Sequence, residues 1–137
     1  MKGLSFEEQT KWRKDFKNKI IEIFNDYWEW PPEIISPPDY YNYDFPSHKT
    51  EREVKQWELN NLSKCDILVV NLKDCCTSVG TIFEIATADF LNKRGANISI
   101  IGIGSTEDIH PWVLDCFLRI EDTIEDACEY IESYLLL

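Results

Sequence analysis

Ser63-Lys64-Cys65-Asp66-Ile67-Leu68-Val69-Val70-Asn71-Leu72, continued by Thr77-Ser78-Val79-Gly80-Thr81-Ile82-Phe83-Glu84-Ile85-Ala86, is the stretch on which the fold turns. The apolar run bounded by Asp66 and Asn71 reads as a strand covered on both faces, the kind found in the middle of a parallel sheet. A loop of small and polar residues follows, and Ser78, Gly80 and Thr81 open a helix that is apolar in its first turns apart from Glu84. Such a strand, loop and helix place the loop and the first helical turn at the carboxyl edge of the sheet, where open α/β sheets bind ligands. Unpaired backbone N–H groups at the helix start favour an anion, either a ligand phosphate or the Glu84 carboxylate. Glu84 is therefore the leading candidate for chemistry, although the same spacing also fits a helix-start glutamate that faces water. Asn71 at the strand end, with Ser78, Gly80 and Thr81, are the candidate ligand-binding residues around it.

Outward from that stretch the chain alternates helix and strand. Ser5 and Glu8 have capping-box spacing, and Trp12, Phe16, Ile20, Ile23 and Phe24 recur on one face of a helix expected from about Phe6 to about Asn25. Pro31 and Pro32 break it, and Glu33-Ile34-Ile35-Ser36 is expected to form a short strand stopped by Pro37 and Pro38. The loop from Asp39 to Lys49 carries Tyr40, Tyr41, Tyr43 and Phe45, rings that either stack on a planar base at the rim of a site or pack back over the sheet. Thr50 and Glu53 cap a second helix ending near Ser63, with Val54, Trp57, Glu58, Asn61 and Leu62 on its inner face. Glu58 thus stands where an apolar side chain is expected; a carboxylate there needs either a structural partner or a chemical role.

Lys93, Arg94 and Gly95 end the Glu84 helix with a basic last turn and a C-terminal glycine. Asn97 to Ile103 reads as a further buried strand, and Gly104 to Pro111 as a second loop at the same sheet edge, where His110 is a candidate to line the site. Cys116 to Ile120 is expected as a short edge strand. Thr123 and Asp126 cap a last helix with Ile124, Ala127, Cys128, Ile131 and Leu135 inward. The alternation implies one α/β domain over residues 1–137, a three-layer, flavodoxin- or Rossmann-like parallel sheet of about four to five strands flanked by helices. No first strand is read ahead of the opening helix.

Composition narrows the classes. Lys and Arg number 14 against 25 Asp and Glu, a formal charge of −11 that opposes binding to polymeric nucleic acid. No apolar run approaches the roughly 18 residues of a membrane span, and Met1 to Ser5 does not resemble a signal peptide, so no membrane partner is expected. Cys65, Cys75, Cys76, Cys116 and Cys128 lack zinc-site spacing and read as reduced thiols of a cytoplasmic protein. Neither His48 nor His110 belongs to a ligand pattern, so neither metal nor organic cofactor is expected.

Cys65-Asp66-Ile67-Leu68-Val69-Val70 with Gly80-Thr81-Ile82-Phe83-Glu84-Ile85-Ala86-Thr87-Ala88 resembles the nucleoside 2-deoxyribosyltransferase family, including its 2'-deoxynucleoside 5'-monophosphate N-hydrolases. The resemblance implies that Glu84 is the nucleophile and that Glu58, eight positions before Asp66, helps to protonate the leaving base. The family more often has aspartate at the latter position. Ser78, six before Glu84, matches the serine that contributes to a phosphate site in the hydrolases. Gly3 resembles the end of the family's sugar-holding loop, whose preceding strand has no counterpart here. The resemblance further implies a homo-oligomer in which a neighbouring subunit completes the site. The implied activity is retaining N-glycosyl transfer or hydrolysis on 2'-deoxynucleosides or their 5'-monophosphates, through a glycosyl-enzyme ester. The alternative is a non-catalytic nucleotide-binding or sensing domain of the same fold.

Overall fold

The structure, a computed structural model, describes residues 6–27, 32–36 and 49–135. Helix α1 (Phe6–Tyr27) is followed by α2 (Glu51–Leu62), strand β1 (Ile67–Asn71), a 3-10 turn (Leu72–Cys76), α3 (Val79–Lys93), β2 (Ser99–Ile103), the single turn α4 (Pro111–Leu114), β3 (Arg119–Glu121) and α5 (Ile124–Tyr130), which runs into a π-helical turn at Ile131–Leu135. The described strands form one parallel sheet in the order β1-β2-β3, with Ile67 opposite Ser99, Asn71 opposite Ile103, and Ile101 opposite Arg119.

Side-chain alternation along the strands separates two apolar layers. On one face Ile67, Val69, Ile101 and Ile103 meet Phe16, Ile20 and Ile23 of α1 and Ile124, Ala127 and Cys128 of α5. On the other, Leu68, Ile98 and Ile100 meet Leu59 and Leu62 of α2 and Ala88 and Leu91 of α3. The result is an α/β sandwich with a small open sheet between two helical layers.

Local chemistry explains the element ends. Thr50 and Glu53 form the reciprocal capping box expected of them, with Thr50 N donating to Glu53 Oε2 at 2.7 Å. Thr123 Oγ1 accepts from Asp126 N at the start of α5. At the end of α3, Gly95 adopts φ 103°, and Ala96 N reaches back to the Leu91 carbonyl at 3.0 Å; only glycine enters that conformation without strain. The Asn92 side chain then both donates to and accepts from the Ile98 backbone at 2.8 Å, tying the end of α3 to the approach to β2.

Four expectations need correction. The sheet has three strands among the described residues rather than four to five. Glu33 to Ser36 is not a strand: Pro31, Pro32, Pro37 and Pro38 bracket it and offer no N–H to a ladder, so Ile34 contributes only its side chain to the core beside α1. β1 is not the middle strand of the described sheet; that place belongs to β2, four of whose five residues are buried. The last strand begins at Arg119 rather than Cys116, because Cys116 N and Phe117 N still bond back to Val113 and Leu114 and the ladder starts only with Leu118 N on the Ile100 carbonyl. The first helix also extends two residues beyond Asn25, to Tyr27.

Parallel pairing puts the carboxyl ends of all three strands at one edge, and Gly102 in β2 lies close under that edge. A β-carbon at Gly102 would stand 3.0 Å from the Phe117 ring and 3.1 Å from Leu72 Cδ2, the residue that opens the 3-10 turn. Gly102→Val is expected to lower stability by about 1–3 kcal/mol through overpacking, read as a lower urea midpoint at unchanged slope.

Candidate active site

Glu84 is the sixth residue of α3, between the buried Ile85 and the exposed Phe83. At 100° per residue it falls on the inner face of α3, one turn before the buried Ala88 and two before Leu91, and the half-buried Glu58 of α2 acts on it there. The two side chains share a hydrogen bond, which requires one carboxyl to donate a proton. Burial comes first among the causes that push the Glu84 carboxyl up to about 8; the Glu58 charge and the shared hydrogen bond follow, then the opposing pull of Arg13 and the added repulsion of Asp74. At neutral pH the pair therefore keeps a proton, and Glu84 holds more of it than a carboxyl in water would.

Two of these neighbours were not among the sequence candidates. Arg13 lies on α1, whose apolar face packs on the other side of the sheet, and its charge still favours the ionised form of Glu84. Asp74 sits in the 3-10 turn after β1, only 6% exposed, and its backbone carbonyl accepts from Thr77 N and Ser78 N. One signal could have found Asp74, the lone acid in the loop at the carboxyl edge. Nothing in helical spacing singles out Arg13, which is one of several cations along α1.

Ser78 is the N-cap of α3, and its Oγ accepts from Thr81 N at 3.2 Å. Gly80 is exposed in the first turn, and a β-carbon there would have only Ser78 Oγ at 3.8 Å within reach, so the mouth of the helix is open. Asn71 Oδ1 accepts from Lys73 N at 3.1 Å, which anchors the turn bearing Asp74 to the end of β1. Lys55 of α2 lies over the Phe83 ring at 4.9 Å, a cation beside the first turns of α3. Glu84, Glu58, Ser78, Gly80, Thr81 and Asn71 thus come from segments that meet at one end of the sheet.

His110 has a different setting: its Nδ1 accepts from Trp112 N at 3.1 Å to cap α4, and its ring lies edge-on to Trp112. Trp112 in turn borders a groove against Asp89 and Lys93, in the half of α3 distant from Glu84. Gly3, Tyr40, Tyr41 and Tyr43 lie outside the described residues. Among the described residues no group of three or more His, Cys, Asp or Glu side chains is arranged to hold a metal ion, and no helix is long and apolar enough to cross a membrane.

No protein-family model matches the chain, and no curated protein matches it either.

A hydrogen-bonded carboxyl pair with one retained proton holds an acid and a base side by side. It also leaves a signature in stability. The folded-state pKa of Glu84 lies above its unfolded value, so the contribution is fully present below about pH 4.5 and is lost as pH rises through about 8. Relative to Glu84→Gln, which cannot ionise, the wild-type chain is expected to lose about 5 kcal/mol between those limits. Urea unfolding of both proteins at pH 5, 7 and 9 checks this, and a difference that stays flat with pH would show that Glu84 is solvated.

Proposed function

We propose that the chain catalyses retaining N-glycosyl transfer or hydrolysis on 2'-deoxynucleosides or their 5'-monophosphates, with Glu84 as nucleophile and Glu58 as proton donor to the leaving base. The single observation that carries this reading is the hydrogen-bonded Glu58–Glu84 pair between α2 and α3, near the open first turn of α3. The resemblance of the Asp66-led strand and the Gly80-to-Glu84 helix start to deoxyribosyltransferases supports it. The two-layered helical cover of the sheet agrees with a flavodoxin-like architecture. In this reading the protein works in the cytoplasm as a homo-oligomer, on a small ligand and without cofactor.

The steps follow from the pair. As substrate enters, the shared proton passes along the hydrogen bond to Glu58, leaving Glu84 as the carboxylate. A Glu84 oxygen attacks the anomeric carbon; the bond from that carbon to the base nitrogen breaks, its electrons stay on the base, and Glu58 delivers the proton there. The sugar is then held as an ester on Glu84. In the second half an acceptor base, or water, attacks the same carbon, the ester C–O bond breaks back to the Glu84 carboxylate, and Glu58 takes up the acceptor's proton. Arg13 steadies the carboxylate form of Glu84, and Asp74 opposes it, so the pair is poised between the two states. Ser78, Gly80 and Thr81 offer the helix N-terminus to the 5' end of the ligand.

A second reading, nucleotide binding without turnover, draws on one specific observation: with its carboxyl pushed up to about 8, Glu84 is mostly protonated at neutral pH unless the ligand moves that proton. Incubation with deoxynucleosides and with their monophosphates, with and without an acceptor base, separates the outcomes by chromatography of released base. Turnover is expected, with Glu84→Gln slower by at least about 10³-fold and Glu58→Gln by about 10²-fold, at little change in ligand affinity. A deoxyribosyl adduct on the peptide containing Glu84 would identify the ester. Unaltered turnover in Glu84→Gln would remove the mechanism, and ligand-induced stabilisation without any base release would favour the binding domain.

A further inference from the structure

Lys55 stands between two glutamates of its own helix and pairs with neither. Glu51 lies one turn before it on α2 and Glu58 one turn after, at the spacings where lysine and glutamate meet on a helix surface. Among the described residues Lys55 makes no ion pair with either. Its ammonium instead crosses to α3 and sits over the Phe83 ring, 4.9 Å from the centroid. Phe83 is 51% exposed and directly precedes Glu84.

The contact falls at a definite level between the helices. α2 leads into β1 and α3 into β2, both helices cover one face of the sheet, and the two strands are parallel, so the helices run in the same sense. Along them Lys55 meets Phe83, Glu58 meets Glu84, and Leu59 and Leu62 share a core with Ala88 and Leu91. The ammonium therefore lies one step from the carboxyl pair, on the side of the open first turn of α3. The other charges that bear on Glu84 are Arg13 from α1 and Asp74 from the turn after β1.

We infer that Phe83 and Lys55 are positioning residues for the carboxyl pair: the ring holds the ammonium off Glu58, which leaves Glu58 able to carry the proton that goes to the leaving base. A cation seated on Glu58 would fix that carboxyl in its ionised form and confine the shared proton to Glu84, the residue that has to lose it in order to attack. The ring face avoids this, because it attracts an ammonium and cannot itself titrate. A compact charge on a flexible four-carbon stem suits the exchange between the two seats. At an exposed site the ring is favoured by only roughly two- to fivefold, so loss of its face is enough to send the ammonium to the carboxylate. The consequence for turnover rests on the roles proposed above for Glu58 and Glu84; the seating of Lys55 concerns the pair alone.

The test combines carboxyl ¹³C titration of Glu84 with release of base, in full-length variants. Phe83→Leu keeps apolar bulk and removes the ring face. It is expected to lower the pH at which Glu84 loses its proton by about one unit, since a released ammonium favours that loss, and to slow base release about tenfold at neutral pH. Phe83→Leu combined with Lys55→Met, which keeps the stem without the charge, is expected to return both to wild-type behaviour. Both side chains face solvent, so the urea midpoints should agree. A Glu84 step that Phe83→Leu leaves in place would overturn the inference. So would a step that falls equally with Lys55→Met beside it, because the ring would then act by excluding water, and so would a lowered step with base release unslowed. A wild-type chain that releases no base would remove the proposed reaction, while the titration still decides where Lys55 sits.

Discussion

Two carboxyl groups held within one hydrogen bond of each other, where little water reaches, cannot both be charged. Glu58 and Glu84 of this protein are under that constraint, and burial adds to it at Glu84. The two helices that carry them are packed together by Leu59, Leu62, Ala88 and Leu91 against one face of the sheet. The fold accepts an electrostatic penalty there that a glutamine at either position would relieve.

The surrounding charges tune the conflict. Arg13 comes from the opposite helical layer and favours the ionised form of Glu84, while Asp74, buried in the turn after β1, resists it. Burial and the Glu58 carboxyl outweigh Arg13, so the net effect on Glu84 is upward. The turn is itself fixed from the sheet side, by Asn71 Oδ1 on Lys73 N, and from the helix side, by the Asp74 carbonyl on Ser78 N at 2.8 Å. The position of Asp74 is thereby coupled to the cap of the helix that bears Glu84.

Much of this was legible in the residues. Thr50 with Glu53, Thr123 with Asp126, Ser78 ahead of α3 and Gly95 behind it are local devices whose physics acts within a few residues, and each appears where spacing places it. The placement of Glu58 among inward-facing neighbours was legible for the same reason. What failed was whatever depends on distant partners. The Glu33 to Ser36 run has a strand's apolarity, but the prolines on both sides deny it a ladder; the run Ile67 to Asn71 looked central because composition cannot say which strand lies between the others. Arg13 was hidden altogether, since its approach to Glu84 arises from the packing of two layers and leaves no trace in periodicity.

At neutral pH the Glu58–Glu84 pair retains a proton. Carboxyl ¹³C chemical shifts of the glutamate-labelled protein, followed from pH 4 to pH 10 with Glu84 assigned by its loss in Glu84→Gln, test it most directly. The Glu84 resonance is expected to titrate in a step near 8 that belongs to the two carboxyls together. A Glu84 resonance that completes its titration in the ordinary carboxyl range, about 4 to 5, would contradict it.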